Sequence, residues 1–324
     1  MTFRPIHLLA ALSTAAATLL ALPAAAQDYP NKPITLVVPF GPGSGTDQMA
    51  RLYAKALGDE LKVPIVVENK GGASGFIAAQ LVAKAAPDGY TLMMTTNTTH
   101  AANEHLFKKL PYDPVKDFAP IELLATGQML LLVQPNSPYK SVADLLAAAR
   151  KEPGKLDFGS GSSSSQVAGY ALQQMAHVDM VNVPYKSNPQ AITDLIGGRF
   201  TFMFADTSTA MPQVQGGKLR ALATSGAKRV AALPDVPTVA EAGVKGYDVS
   251  YWFAAYAPAG TPPAIVTRLN QVFAKASTTD EVKAYMNQTS STLTSSTPEG
   301  LAKFQAAESK KWGEVIRAAG IEPQ

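Results

Sequence analysis

The chain has 324 residues, a formal net charge of +3 and no cysteine. With 46% hydrophobic and 16% charged residues it reads as globular rather than disordered, and its length suggests two domains, each able to bury a core. Lys and Arg are scattered and not interleaved with aromatics, which argues against nucleic acid as a partner, and the absence of Cys excludes disulfides and a cysteine-linked lipid anchor.

The first segment reads as an export signal. Arg4 gives a basic start, Leu8 to Leu22 an apolar run, and Ala24-Ala25-Ala26 the small-residue pattern of a cleavage site before Gln27. The run falls short of the roughly 20 residues that a membrane span needs, and Pro23 ends it. A signal peptide over residues 1–26 implies a secreted, periplasmic chain; an uncleaved anchor is the alternative.

Strand and helix signals then alternate. Ile34 to Phe40 predicts a strand, Asp47 to Glu60 a helix, Pro64 to Glu68 a strand, Phe76 to Ala85 a helix and Tyr90 to Thr95 a strand. After Pro135 the pattern restarts. Ser141 caps a helix to Arg150, Leu156 to Ser160 is a strand, and a Ser-rich loop from Gly159 to Ser165 leads into a helix from Gln166 to Ala176. Strands at Val181 to Tyr185, Phe200 to Ala205 and Leu219 to Thr224 surround a helix from Pro189 to Ile196. Tyr251 to Ala257 is strand-like, and helices follow at Ala264 to Ala276, Asp280 to Asn287 and Pro298 to Ala318. This order predicts parallel sheets covered by helices. The last three helices are too few for a core of their own, so they are expected to return over the first sheet.

Candidate binding residues gather in strand-to-helix loops. In Pro39 to Asp47, glycines let backbone amides face a ligand and the helix N-terminus favours negative charge. Phe40, Gly41, Gly43, Ser44, Thr46 and Asp47 are the candidates there, against an ordinary turn in which Asp47 complements its own helix dipole. Thr46 stands where a dinucleotide motif has its third Gly, and no Gly-Lys-Ser/Thr follows as in a P-loop. Gly72, Ala73, Ser74 and Gly75 form a second such loop, or a flexible turn. Thr95 to His100 offers hydroxyls and an amide, with Asn97 and His100 as candidates, or caps the next helix around a structural His. In the second unit Ser160, Ser162, Ser163 and Ser164 mirror the first loop, unless they form an exposed linker, and Asp206 and Thr207 end another strand facing the same way.

Catalytic patterns are missing. There is no Gly-x-Ser-x-Gly elbow, no Cys nucleophile and no His-Glu-x-x-His arrangement, so no enzyme activity, metal or cofactor is expected.

The sequence resembles the Bug family, the TctC-like periplasmic solute-binding receptors of tripartite tricarboxylate transporters. The resemblance is carried by Tyr29-Pro30-Asn31-Lys32-Pro33-Ile34, Val38-Pro39-Phe40-Gly41-Pro42-Gly43 with Asp47, Val67-Glu68-Asn69-Lys70-Gly71-Gly72-Ala73, Ala86-Pro87-Asp88-Gly89-Tyr90-Thr91-Leu92, Val183-Pro184-Tyr185-Lys186 and Asp235-Val236-Pro237-Thr238. It implies an α/β, two-lobed binding protein of the Venus-flytrap kind (type II-like), with a sheet flanked by helices in each lobe. It also implies a carboxylate grip by Phe40 to Asp47 and Gly72 to Gly75. Two departures stand out: Ser44 where Gly is frequent, and a Ser162 to Ser165 tract without the His that relatives often carry.

The expected organisation is one lobe from residues 28–132 and 250–324, a second from 133–249, and hinge strands near 130–133 and 251–256. The expected function is capture of a small carboxylate by hinge closure, as a monomer, and its delivery to membrane transporter subunits. A dicarboxylate suits two facing sets of neutral donors, and an aromatic one could use Phe40 or Trp252 as a neighbour. An extracytoplasmic sensor and an exported enzyme acting on a carboxylate or ester remain alternatives.

Overall fold

A computed structural model describes residues 29–324; the expected signal peptide, residues 1–26, lies outside them. The chain forms two α/β lobes, and one strand pairs into the sheets of both. In the first lobe β1 (Ile34–Val38) runs parallel to β2 (Ile65–Asn69) and β3 (Thr91–Thr96), with α1 (Gly45–Leu61) and α2 (Phe76–Ala83) as crossovers. A short α3 (Asn103–Leu106) follows β3, and β4 (Phe118–Val133) comes next. The second lobe contains α4 (Val142–Lys151), β5 (Asp157–Ser160), α5 (Ser163–Ala176), β6 (Val181–Pro184), α6 (Asn188–Ile196), β7 (Phe202–Asp206), α7 (Thr207–Gln215) and β8 (Arg220–Thr224). The chain then returns through β9 (Ser250–Pro258) to α8 (Pro263–Ser277), α9 (Asp280–Thr289), β10 (Thr292–Leu293) and α10 (Pro298–Ala318).

The strand order is β2-β1-β3-β9-β4-β7-β5-β6, with β8 and β10 also paired to β4. The parallel sheets expected from the sequence are present as β2-β1-β3 and β7-β5-β6, but each is completed by antiparallel strands. The reason is β4. It pairs antiparallel with β9 as far as Gln128, then with β7 and β8 from Met129 onward, so one strand serves both lobes. Both of its faces are covered in the second lobe. Met129, Leu131 and Val133 enter the larger core, and Leu130 and Leu132 the smaller one under α6 and α7. That explains why Leu130 to Val133 reads as an unbroken apolar run.

One local expectation is corrected and two elements are added. The Ser tract is not a loop up to Ser165: α5 starts at Ser163, and Ser162 and Ser165 form a reciprocal capping box. Thr98–Ala102, for which no element was expected, is a π-helical turn. Thr207 opens a helix that the sequence hides, because Pro212 sits inside it. The return of the last helices holds: α8 packs on β4 and α1, and α10 packs on β4, although α10 also meets α5 across the lobes.

Glu122 on β4 is fully buried. Its Oε1 accepts a hydrogen bond from Ser295 Oγ at 2.8 Å, while Oε2 has no partner among the described residues. Burial pushes its pKa up to about 7, against the opposing pull of the Ser295 bond. The folded state therefore keeps a proton that the unfolded chain releases above the ordinary Glu range. Stability falls as the pH rises from there towards 7, and the loss is complete above it. Glu122→Gln should raise the melting temperature at pH 8 by at least about 2 °C and leave it nearly unchanged at pH 4.5. An equal effect at both pH values would show that Glu122 carries no such proton.

Candidate functional site

Between the lobes the carboxyl ends of β1, β3, β5 and β7 face a common cleft, where α/β sheets place ligands. The cleft has an outer groove of about 830 Å³ and an inner cavity of about 40 Å³. At roughly 10–15 Å³ per water, the inner cavity matches about three waters or one small polar head group. Phe40, Gly161 and Ser162 line both, so the two adjoin at these residues.

The starts of four helices line the inner cavity. Ser44, Gly45 and Thr46 belong to the start of α1, Ser162 and Ser164 to α5, Asn188 to α6, and Asp206 to α7. Thr96 at the end of β3, Thr98 just after it, Met129 of β4, and Tyr251 and Phe253 of β9 line the rest of its wall together with Phe40 and Gly161. Among its described lining residues Asp206 is the one carboxylate, and none is Lys, Arg or His.

The lobes meet closely here. Asn97 Nδ2 donates to Ser164 Oγ at 2.7 Å, Thr98 and Ser164 hydroxyls lie 3.0 Å apart, and Ser163 Oγ donates to Asn103 Oδ1 at 3.0 Å. A Cβ added to Gly45 would overlap Ser208 Oγ and crowd Asp206 Oδ1 at 2.8 Å, so only Gly lets α1 approach α7 this closely.

The expected site residues divide into two groups. Phe40, Ser44, Thr46, Ser162, Ser164 and Asp206 line the inner cavity, and Gly72, Ser74, Gly75, Ser160 and Ser163 line the outer groove. Ala73 begins the 3-10 turn that ends at Gly75. The others lie behind these surfaces. Gly43 faces a separate hollow with Gln48, and Gly41 closes its own turn by accepting from Ser44 N at 3.2 Å. Asp47 Oδ2 accepts from Gly43 N at 2.8 Å and Arg51 Nε at 3.1 Å, and Oδ1 accepts from Asn69 Nδ2 at 2.9 Å. Burial works to raise the Asp47 pKa, but these hydrogen bonds and the Arg51 charge outweigh it and hold the carboxyl below its ordinary range. Asn69 Nδ2 also holds Phe40 O at 2.9 Å, so Asp47 and Asn69 together frame the loop that carries Phe40.

Asn97 is spent on Ser164 and on accepting from Thr96 Oγ1 and Trp252 N. Thr207 Oγ1 lies 2.9 Å from Tyr251 OH. His100 is fully buried against Tyr256, ring centroids 4.1 Å apart, and desolvation lowers its pKa to about 3, which keeps the ring neutral. Trp252 is buried against Phe304 and lines neither space, whereas Phe40 lines both.

Sequence reasoning missed Asn188, Gly45, Met129, Tyr251 and Phe253 on the inner wall, and did not single out Thr96, Thr98 and Gly161 within the tracts it named. The one local signal was Ser187-Asn188-Pro189, a cap followed by Pro within the first turn, directly after a parallel strand.

Residues 49–321 match the family described as the tripartite tricarboxylate transporter family receptor. Protein BugT of Bordetella pertussis is 34% identical over 306 residues, 93% of each chain. The structure of R. palustris Rpa4515 with adipate is 36% identical, with a TM-score of 0.89 over 92% of this chain and 100% of that one. MatC (Rpa3494) from Rhodopseudomonas palustris with bound malate is 33% identical, with a TM-score of 0.85 over 89% of this chain and 100% of that one. With the family model spanning most of its length and a relative of this identity covered almost end to end, this chain belongs to the tripartite tricarboxylate transporter receptor family.

Proposed function

We propose that this protein is a periplasmic receptor that captures a small carboxylate between its lobes, as a monomer, and delivers it to membrane subunits of a tripartite tricarboxylate-type transporter. One observation carries the reading: four helix N-termini, one from the first lobe and three from the second, converge on a cavity without a basic side chain. Each helix start holds a partial positive charge of about half an elementary unit; side-chain caps take one backbone N–H at α1, α5 and α7, and none caps α6. Together they suit an anionic head group better than a cationic or apolar one. Relatives solved with adipate and malate support the carboxylate class.

The lobes take the boundaries 28–132 with 250–324, and 133–249, with the hinge at 130–133 and 251–256. The change of β4 partners at Gln128 and Met129 supports this division. In this reading Phe40, Ser44, Thr46, Gly72, Ser74 and Gly75 hold the ligand from the first lobe, and Ser160, Ser162 and Asp206 from the second. Ser163 and Ser164 fasten the closed form through Asn103 and Asn97. Lobe opening admits the ligand to the inner cavity, and its remaining chain extends past Phe40 into the outer groove. Among the described residues no helix is long and apolar enough to cross a membrane, which accords with a released receptor.

The mature protein, screened against mono-, di- and tricarboxylates, should melt higher with at least one of them. Ligand at about 100 times its Kd adds about 2.7 kcal/mol. No shift with any carboxylate, or recovery of the ligand chemically altered, would overturn the receptor reading.

Closure depends on the Gly45 contact. Gly45→Ala places a methyl against Ser208 and Asp206 of the opposite lobe, with a lesser contact to the Phe253 ring at 3.2 Å. Its melting temperature without ligand should stay within about 2 °C of the parent. Its affinity for the carboxylate found above should fall at least about tenfold, and small-angle scattering should show less compaction at saturation. Unchanged affinity with full compaction would mean that binding does not require the lobes to meet at this point.

A further inference from the structure

The first residue of α6 carries an unanswered acceptor. Asn188 is 7% exposed and lines the inner cavity. Its Nδ2 donates to Asp206 Oδ2 at 2.7 Å. Oδ1 of Asp206 is engaged separately, accepting from Thr209 N and Thr209 Oγ1, each at 3.0 Å, and from Ser208 Oγ. A carboxylate oxygen accepts and does not donate, so the amide nitrogen of Asn188 must be the atom facing it. The side-chain orientation is thereby fixed by its network. What remains is Asn188 Oδ1, a buried carbonyl oxygen without a partner among the described residues. Such atoms are rare and costly in native proteins. The backbone is equally committed, because Gly161 lies so close that a Cβ there would overlap Asn188 N and Cα.

Charge points the same way. Helix starts supply the inner cavity with positive potential, yet it also contains Asp206 and no basic side chain. A bare carboxylate head answers the helices but leaves the amide oxygen without a donor and the Asp206 charge without a cation among the cavity's described lining residues. A head with a carboxylate and an adjacent protonated group answers all three.

We infer that the inner cavity selects carboxylates bearing a neighbouring hydroxyl or ammonium, which donates to Asn188 Oδ1 beside Asp206. The inference rests on the carboxylate reading above and names the ligand class within it. An ammonium adds charge complementarity to Asp206; a hydroxyl supplies the hydrogen bond alone. Asn188 is the specificity-determining residue and Asp206 its positioning residue.

Calorimetry on the full mature chain with two matched sets tests this: succinate, malate and aspartate, then adipate, 2-hydroxyadipate and 2-aminoadipate. In the set that binds, the substituted acids should bind at least about tenfold tighter than the unsubstituted one, because a site built around a ligand donor is left unpaired by the analogue lacking it. Asp206→Asn keeps the α7 cap, for which Asn serves as well as Asp. It also turns an N–H₂ towards Asn188, whose amide must then flip and present nitrogen to the ligand. The amino acid of that set should lose the most affinity, at least about tenfold, and the hydroxy acid less. Binding of the unsubstituted acid as tight as its analogues would overturn the inference and leave the carboxylate reading standing, with a water serving Asn188 Oδ1. Failure of all six ligands would overturn the inference, and failure of the wider carboxylate screen the reading beneath it. If Asp206→Asn does not fold, the comparison of ligands on the parent protein decides alone.

Discussion

One strand has to satisfy two lobes at once. Over sixteen residues β4 pairs first with β9 and then with β7 and β8, so its sequence answers to two sheets and two sets of helices. Its second half is buried on both faces, which leaves Leu and Val as the workable residues. Met129, where the partners change, also lines the inner cavity, as do Tyr251 and Phe253 of the other crossing strand. The binding cleft therefore rests on the strands that join the lobes. On the proposed reading, a change in lobe angle alters the shape of the cavity wall directly, without a relay through the cores.

How much of this the sequence reveals follows from the range of the interactions involved. Elements set by local pattern were legible: the strand-helix alternation, the Ser141 cap and the extent of α10 all follow from spacing and capping. The first half of β4 was not, because Pro120, Glu122 and Gly127 interrupt its apolar run and only pairing with β9 makes it a strand. α7 was hidden by Pro212, and the start of α5 by four serines, which favour caps and turns over helix interiors.

The candidate site was legible as a set of loops but not as a set of contacts. Asp47, Asn97 and Thr207 are short polar residues near helix starts, where a side chain can face a ligand or serve the fold. Partners distant in sequence decide which, namely Asn69 for Asp47, Ser164 for Asn97 and Tyr251 for Thr207. Asn188 shows the reverse. Nothing around it signals an acceptor, because the orientation of its amide depends on Asp206, eighteen positions away.

On the proposed reading, the distribution of carboxylates among the four helices gives lobe closure its direction. Asp47 lies in the first turn of α1 and Asp206 caps α7, so two of the dipoles already face a side-chain carboxylate. The first turns of α5 and α6 contain no acidic residue. The positive potential that the protein leaves uncompensated thus belongs to the second lobe. On the proposed reading, a ligand carboxylate seated on the first-lobe amides attracts α5 and α6 towards it, and those contacts exist only when the lobes have met. A ligand shifts a conformational equilibrium only through such differential contacts. Holding the anion with dipoles and neutral donors, without a Lys or Arg in the inner cavity, also spares the open receptor an unpaired cation in its cleft. The same four helix starts then serve both capture and closure.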